Sequence, residues 1–262
     1  MTILNESFRK RIGFPLRETL TFDKLKLVLK KTAQTIPFEN TCIMSQMTAP
    51  ITKESLTKKI IDQKEGGLCY ELNAILYFFL MENEFHVSMI RGIIFDPRQE
   101  TWSSTGKTHA AILLNHKGTK YLVDTGFGGN LPLVPIPLTG EVMKTPTGEF
   151  KAVKKETEYG DYQLKMKLKY KHTEFQTGYA FNSQETFTEM IPLTEIQEII
   201  LKNPESPFNK QYLITLLTPG GIDILTPAAF IRRQDGKETK EEINEAQFKY
   251  LAKLHFQLSN LQ

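Results

Sequence analysis

The chain has 262 residues, 40% of them apolar and 24% charged, with 33 basic against 30 acidic side chains and two cysteines. That length exceeds one typical domain and supports ample core, while the lack of a biased tract or repeat excludes disorder, collagen and coiled coil. A net charge of +3 is too small a surplus to call for nucleic acid, although it tolerates an anionic cofactor.

The longest apolar run, Ala74 to Met81, falls far short of the roughly 20 residues that span a bilayer. Met1 to Leu16 is broken by charges where a signal peptide needs an apolar run. The expected setting is cytoplasmic with no membrane partner, and there Cys42 and Cys69 stay reduced.

In chain order, Thr21 to Gln34 reads as an amphipathic helix with Leu25, Val28, Leu29 and Ala33 on one face and Thr21 or Asp23 at its start; Pro37 bars its continuation. Ile36-Pro37-Phe38-Glu39-Asn40 is then a loop whose carboxylate and amide either satisfy backbone groups or line a site. Thr52 to Lys64 is a second helix buried on Leu56 and Ile60 and stopped at Gly66-Gly67. The third, from about Cys69 to Glu84, is apolar nearly all round and therefore central, so Cys69 opens a core helix. Free backbone N–H groups and the helix dipole stabilise negative charge at such a position.

From His86 the period becomes that of strands: His86 to Phe95, His109 to Leu114, Tyr121 to Phe127 and further pieces toward Phe181, read as an antiparallel barrel or curled sheet. Between Gln163 and His172, Leu164, Met166, Leu168 and Tyr170 alternate with Lys165, Lys167, Lys169 and Lys171. This is read as a solvated edge strand protected by lysine, against the alternative of a row that attracts phosphates. Past Pro204 to Pro207, Tyr212 to Leu217 and Ile222 to Leu225 form a hairpin turned at Pro219-Gly220-Gly221. A final helix over Lys240 to Leu258 packs on Ile243, Ala246, Tyr250 and Leu254. The fold class is therefore α+β, in three units: a helical bundle over residues 1–85, a β-barrel over 86–203 and a small α/β unit over 204–262.

The five histidines lack the close spacing of a zinc motif, so no metal is expected. Gly126-Phe127-Gly128-Gly129 follows a strand, but Asn130 to Pro135 cannot open the helix that a dinucleotide or phosphate loop needs. The hairpin after His109 is more informative. With its turn centred between His116 and Lys117, His109 faces Asp124 across the ladder, their Cβ atoms about 4.5–5.5 Å apart, close enough for a carboxylate to bond an imidazole. An oriented imidazole and a free cysteine at a helix start are the parts of thiol nucleophilic catalysis: Cys69 to carry an acyl group, His109 to hold its proton, Asp124 to fix the tautomer. Each part also has an ordinary structural use, as a satisfied buried pair or a small core thiol, and spacing alone does not bring Cys69 to His109.

Arg11-Ile12-Gly13-Phe14, Ile36-Pro37-Phe38-Glu39-Asn40, Gly66-Gly67-Leu68-Cys69-Tyr70-Glu71-Leu72-Asn73, Thr108-His109 and Val123-Asp124-Thr125-Gly126-Phe127-Gly128-Gly129, in that order, resemble the arylamine N-acetyltransferases. The resemblance implies a helical bundle, a β-barrel and an α/β lid around a core of the cysteine-protease and transglutaminase kind. It implies ping-pong transfer from acetyl-coenzyme A, as co-substrate, to an arylamine or hydrazine through acetyl-Cys69. It also implies Phe38 and Phe127 in the acceptor pocket and coenzyme A contacts at Thr105, Gly106, Thr108 and Gly128. A thiol hydrolase or amide synthase with the same triad, or a ligand-binding protein with an inert thiol, are the alternatives. One residue departs: the family usually has arginine before the paired glycines, and here stands Glu65, preceded by Lys64. If it pointed at Cys69 it would disfavour negative charge there, unless Lys64 or Arg11 neutralised it.

Overall fold

The computed structural model describes residues 2–259. Its helices are α1 (Ile3–Ile12), α2 (Leu25–Thr35), α3 (Thr41–Met44), α4 (Lys53–Leu56), α5 (Cys69–Met81), α6 (Ile191–Lys202) and α7 (Glu245–Phe256). The strands are β1 (Phe38–Glu39), β2 (His86–Asp96), β3 (Thr101–Trp102), β4 (His109–His116), β5 (Thr119–Val123), β6 (Ile136–Pro137), β7 (Met143–Thr145), β8 (Gly148–Thr157), β9 (Gly160–Leu168), β10 (Gln176–Phe187), β11 (Ile214–Thr218), β12 (Gly221–Thr226), β13 (Ala229–Gln234) and β14 (Lys237–Glu242).

Helix α1 starts where the Thr2 side chain accepts from the Asn5 N–H and stops at Gly13, whose φ of 66° closes the last turn. The helix expected from Thr21 begins instead with a 3-10 turn at Phe22–Lys24. That expected over Thr52 to Lys64 starts on a Thr52–Ser55 capping box and passes after Leu56 into a π turn, Thr57–Asp62. The paired glycines do not act as its stop. They lie against the preceding strand: Gly67 donates to the Pro37 carbonyl and accepts from the Glu39 N–H. A methyl group on Gly66 would stand 2.0 Å from that same carbonyl, so only glycine permits the approach.

Helix α5 is buried on nearly every side, as its uninterrupted apolar run requires. It packs with α1, α2, α6 and the outward face of β4, through Ala110, Ile112 and Leu114. Ala111 and Leu113, on the other face of β4, enter a second core with Phe150, Leu164 and Phe181. Burial on both faces explains why β4 shows no alternation between apolar and polar residues. The large sheet is antiparallel in the order β6-β5-β4-β2-β10-β9-β8-β7, and β6 returns against β8, so it curls into a nearly closed barrel.

Two expectations about strands are corrected. The lysine-bearing strand β9 is not an edge: it lies between β8 and β10 and ends at Leu168, leaving Lys169, Tyr170 and Lys171 beyond it. Alternation reports which face of a strand is buried, not whether neighbours pair along both of its edges, and here the adjacent strands β8 and β10 both do. The β4–β5 register also differs, pairing His116 with Thr119 and Ile112 with Val123. Lys117 and Gly118, with φ of 50° and 79°, form the two-residue turn that matches strand twist. Asp124 therefore falls diagonal to His109 rather than opposite. Side chains alternate with period two, so a shift of two residues keeps both on one face.

The second sheet runs β1-β11-β12-β13-β14. The Ile36 to Asn40 stretch is thus only partly a loop, since Phe38 and Glu39 pair with Thr215 and Ile214. Against this sheet α7 packs Phe248, Ala252 and Phe256, leaving Tyr250 and Leu254 exposed. The stripe expected from Ile243, Ala246, Tyr250 and Leu254 is corrected. Residues 237–242 form β14, and the helix starts only at an Asn244–Gln247 capping box. Two apolar stripes have helical spacing, and the sheet selects the one that carries phenylalanine.

Candidate active site

Cys69 sits at the first position of α5, buried, after an extended Leu68. Glu71 reaches back so that its Oε2 accepts from the Leu68 N–H at 3.0 Å, which satisfies one of the backbone donors that a helix start leaves open. The Cys69 Sγ donates to the carbonyl of Thr108, the residue before His109, at 3.6 Å, and the Cys69 side chain favours the charged imidazole. His109 Nε2 lies 2.7 Å from Asp124 Oδ2, leaving Nδ1 for the thiol. Both cysteines are free thiols.

Asp124 is 1% exposed and collects four hydrogen bonds. Oδ1 accepts from Asn73 Nδ2 at 2.9 Å and from the Gly126 N–H at 2.7 Å; Oδ2 accepts from Tyr179 Oη at 2.9 Å besides bonding His109. Burial works against its charge, but His109 and these donors outweigh burial and hold the carboxyl below its usual range. Burial likewise opposes charge on His109. The Asp124 carboxylate, its hydrogen bond and the nearby Cys69 side chain prevail, lifting the imidazole from 6.5 to about 10. Burial first, and then Asp124, push the Tyr179 hydroxyl well above 10, so it stays protonated and donates.

A raised imidazole contributes stability that is complete below pH 6.5 and fades as pH climbs through about 10. A depressed carboxyl contributes stability present above 3.8 and lost as pH falls through its lower folded value. The melting-temperature advantage of the wild type over His109→Gln is therefore expected to be largest between those limits and to shrink from pH 6.5 toward 10. Calorimetry across that range checks it; a constant difference contradicts the pairing.

Two residues that pattern did not single out complete the arrangement. Asn73, one turn after Cys69 on the same face of α5, also donates to the Ala110 carbonyl at 2.8 Å and accepts from the Thr125 N–H at 2.9 Å. It ties the cysteine helix to β4 and to the Asp124 loop, and its i+4 spacing from Cys69 was the available signal. Tyr179 follows a bulge, where Thr177 pairs with Lys165 but Tyr179 with Leu164, and this extra residue turns the ring toward Asp124. The extra residue is Gly178, and an isolated glycine within a strand was the available signal for that bulge.

The residues expected at a binding surface gather around this centre. The His109 ring stands 5.2 Å from Phe127 and 4.5 Å from Tyr179. Phe38 packs edge-on against Phe208 at 5.7 Å, about 4.0 Å from where a side chain on Gly128 would begin. Ser103, Thr105 and Thr108 link their hydroxyls at 2.8 and 2.9 Å around Gly106, whose φ is 72°. Glu65 lies on another side: with Cys42, Lys59 and Glu71 it lines a cavity of 600 Å³. Burial chiefly, with Glu71, Glu39 and Glu65 adding and Lys59 opposing, pushes the Cys42 thiol up to about 11. Arg11 bonds the Ile60 and Lys64 carbonyls and Gln257. Among the described residues no group of three or more His, Cys, Asp or Glu could hold a metal ion, and no helix is long and apolar enough to cross a membrane.

A family model described as N-acetyltransferase matches residues 21–261. The chain is 40% identical over 254 residues to an uncharacterized acetyltransferase, YvcN, of Bacillus subtilis (strain 168), covering 97% of each. Among solved structures, arylamine N-acetyltransferase C from Bacillus anthracis is similar at a TM-score of 0.93 and 34% identity, covering 98% of this chain and 99% of that one. An arylamine N-acetyltransferase from Bacillus cereus, described as having a unique Cys-His-Glu catalytic triad, follows at 0.91 and 35%, covering 97% of each. The fold is also that of the Mycobacterium marinum arylamine N-acetyltransferase in complex with CoA, at 0.83 and 22%, covering 97% of this chain and 92% of that one.

Proposed function

The chain belongs to the arylamine N-acetyltransferase family, and we propose that it moves the acetyl group of acetyl-coenzyme A to an arylamine or hydrazine nitrogen by a ping-pong mechanism through acetyl-Cys69. The observation that carries this is the buried His109–Asp124 pair, 2.7 Å apart, beside a buried Cys69 whose Sγ bonds the carbonyl of Thr108, the residue before His109.

In the first half-reaction the Cys69 sulfur attacks the thioester carbonyl, its proton held on His109, whose charge Asp124 stabilises. The carbon–sulfur bond to coenzyme A breaks, and the departing sulfur takes the proton from the imidazolium. In the second, the amine nitrogen attacks the carbonyl carbon of acetyl-Cys69, His109 accepts a proton from that nitrogen, the carbon–sulfur bond to Cys69 breaks to release the N-acetylated amine, and the cysteine sulfur recovers the proton. Asn73, Gly126 and Tyr179 each spend a donor on Asp124, which keeps the carboxylate aimed at Nε2 throughout. Phe38 and Phe127 would offer flat apolar faces to an aromatic amine. The linked hydroxyls of Thr105 and Thr108, with Gly106 and Gly128, would receive the coenzyme.

Mixing the protein with acetyl-coenzyme A and no acceptor tests the proposal. Intact mass and peptide mapping are expected to find one acetyl group, on Cys69, which an added arylamine or hydrazine discharges. Folded protein that takes no acetyl group overturns it.

A further inference from the structure

Directly behind Cys69 two carboxylates are buried together: Glu39 is fully buried and Glu71 is 5% exposed. Each holds a backbone N–H at a turn. Glu39 Oε2 accepts from Thr41 at 2.5 Å, and Glu71 Oε2 from Leu68, the residue before the cysteine, at 3.0 Å. Two buried carboxylates cannot both stay charged without a cation, and Lys59 supplies it. Its Nζ lies 2.5 Å from Glu71 Oε1 and 3.5 Å from Glu39 Oε1. Burial would strip the proton from this ammonium, but Glu71 and Glu39 outweigh burial and keep Lys59 charged. Lys59 belongs to the π turn, a local widening of the helix.

The departure at Glu65 bears on the same place. Its N–H donates to the Lys59 carbonyl at 3.1 Å, so the backbones at 59 and 65 touch. The next residue, Gly66, packs against the Glu39 side chain, where an added methyl group would stand 2.8 Å from Cγ. In this chain the cation at the carboxylate pair comes from 59, whose backbone adjoins residue 65.

We propose that Lys59 is a positioning residue for Cys69: by neutralising Glu39 and Glu71 together it keeps the Glu71 carboxylate on the Leu68 N–H, and so fixes the turn that presents the thiol. This rests on Cys69 being the nucleophile. Without Lys59 one carboxylate must protonate or swing into the adjoining cavity, which releases the start of α5.

The test follows the rate at which iodoacetamide alkylates Cys69, located by peptide mapping, beside circular dichroism and the melting temperature. Lys59→Met is expected to slow Cys69 alkylation by about tenfold or more, because small displacements of a reacting atom cost orders of magnitude. Lys59→Arg should retain the rate. In Lys59→Met combined with Glu65→Arg the relocated cation should restore it to within about threefold of wild type. A folded Lys59→Met protein that reacts at the wild-type rate overturns the proposal, as does a double variant no faster than the single one. If Lys59→Met fails to fold, the double variant decides: regained fold and reactivity support the proposal, and continued unfolding overturns it. Wild-type protein that alkylates at Cys69 yet takes no acetyl group overturns the proposed function and leaves this inference standing.

Discussion

Asp124→Asn is expected to lower the rate of Cys69 acetylation by about three to four orders of magnitude, the scale seen when a triad carboxylate becomes an amide. All the groups around Asp124 are donors: Asn73 Nδ2 and the Gly126 N–H on one oxygen, Tyr179 Oη and His109 Nε2 on the other. An asparagine must turn its NH₂ toward one of these pairs. Toward Asn73 and Gly126 it meets two fixed donors and leaves them unpaired, at a cost of about 1–3 kcal/mol each. Toward His109 it forces Nε2 to accept, which moves the imidazole proton to Nδ1. The nitrogen that should receive the thiol proton is then already protonated. Single-turnover acetylation measures the loss, while circular dichroism is expected to report a folded protein. A variant acetylated at nearly the wild-type rate would remove Asp124 from the mechanism.

Gly126→Ala is the second large effect, and it is steric. The added methyl carbon would stand 2.5 Å from Cys69 Cα, 2.7 Å from Asn73 Nδ2 and 2.9 Å from Cys69 Cβ. Two of those atoms belong to the first residue of a buried helix, which has no room to retreat. The loop must move instead, carrying Asp124 with it. Overpacking of this kind costs on the order of 3 kcal/mol, or roughly 6–12 °C in melting temperature for a chain of this size. The same shift is expected to cut acetylation by about a hundredfold through misalignment. Gly128→Ala is the comparison: its nearest neighbour is Phe38 at 4.0 Å, but its φ of 56° is left-handed. It should cost only the backbone strain of about 1–2 kcal/mol. Equal effects at the two glycines would contradict the steric account.

The sequence by itself determined the elements whose cause is local. The apolar run from Ala74 made α5 a core helix with Cys69 at its mouth. The change to short strand-forming segments after His86 located the barrel, and a two-residue error in the hairpin register was harmless because parity placed His109 and Asp124 on one face. The ordered motifs carried the family, and the comparisons agree with it. The tertiary structure alone decided which partners meet across long separations. Tyr179 reaches Asp124 only because a bulge turns it, and Phe38 and Glu39 join a sheet formed mostly by residues after 213. β9 became an interior strand, and α7 buried its phenylalanines instead of the stripe led by Ile243. Lys59 is one more lysine on an exposed-looking helix until the fold sets two buried carboxylates against it. Local periodicity states which face of an element is apolar, but the groups that satisfy a buried charge come from wherever the chain returns, and the packed fold fixes that.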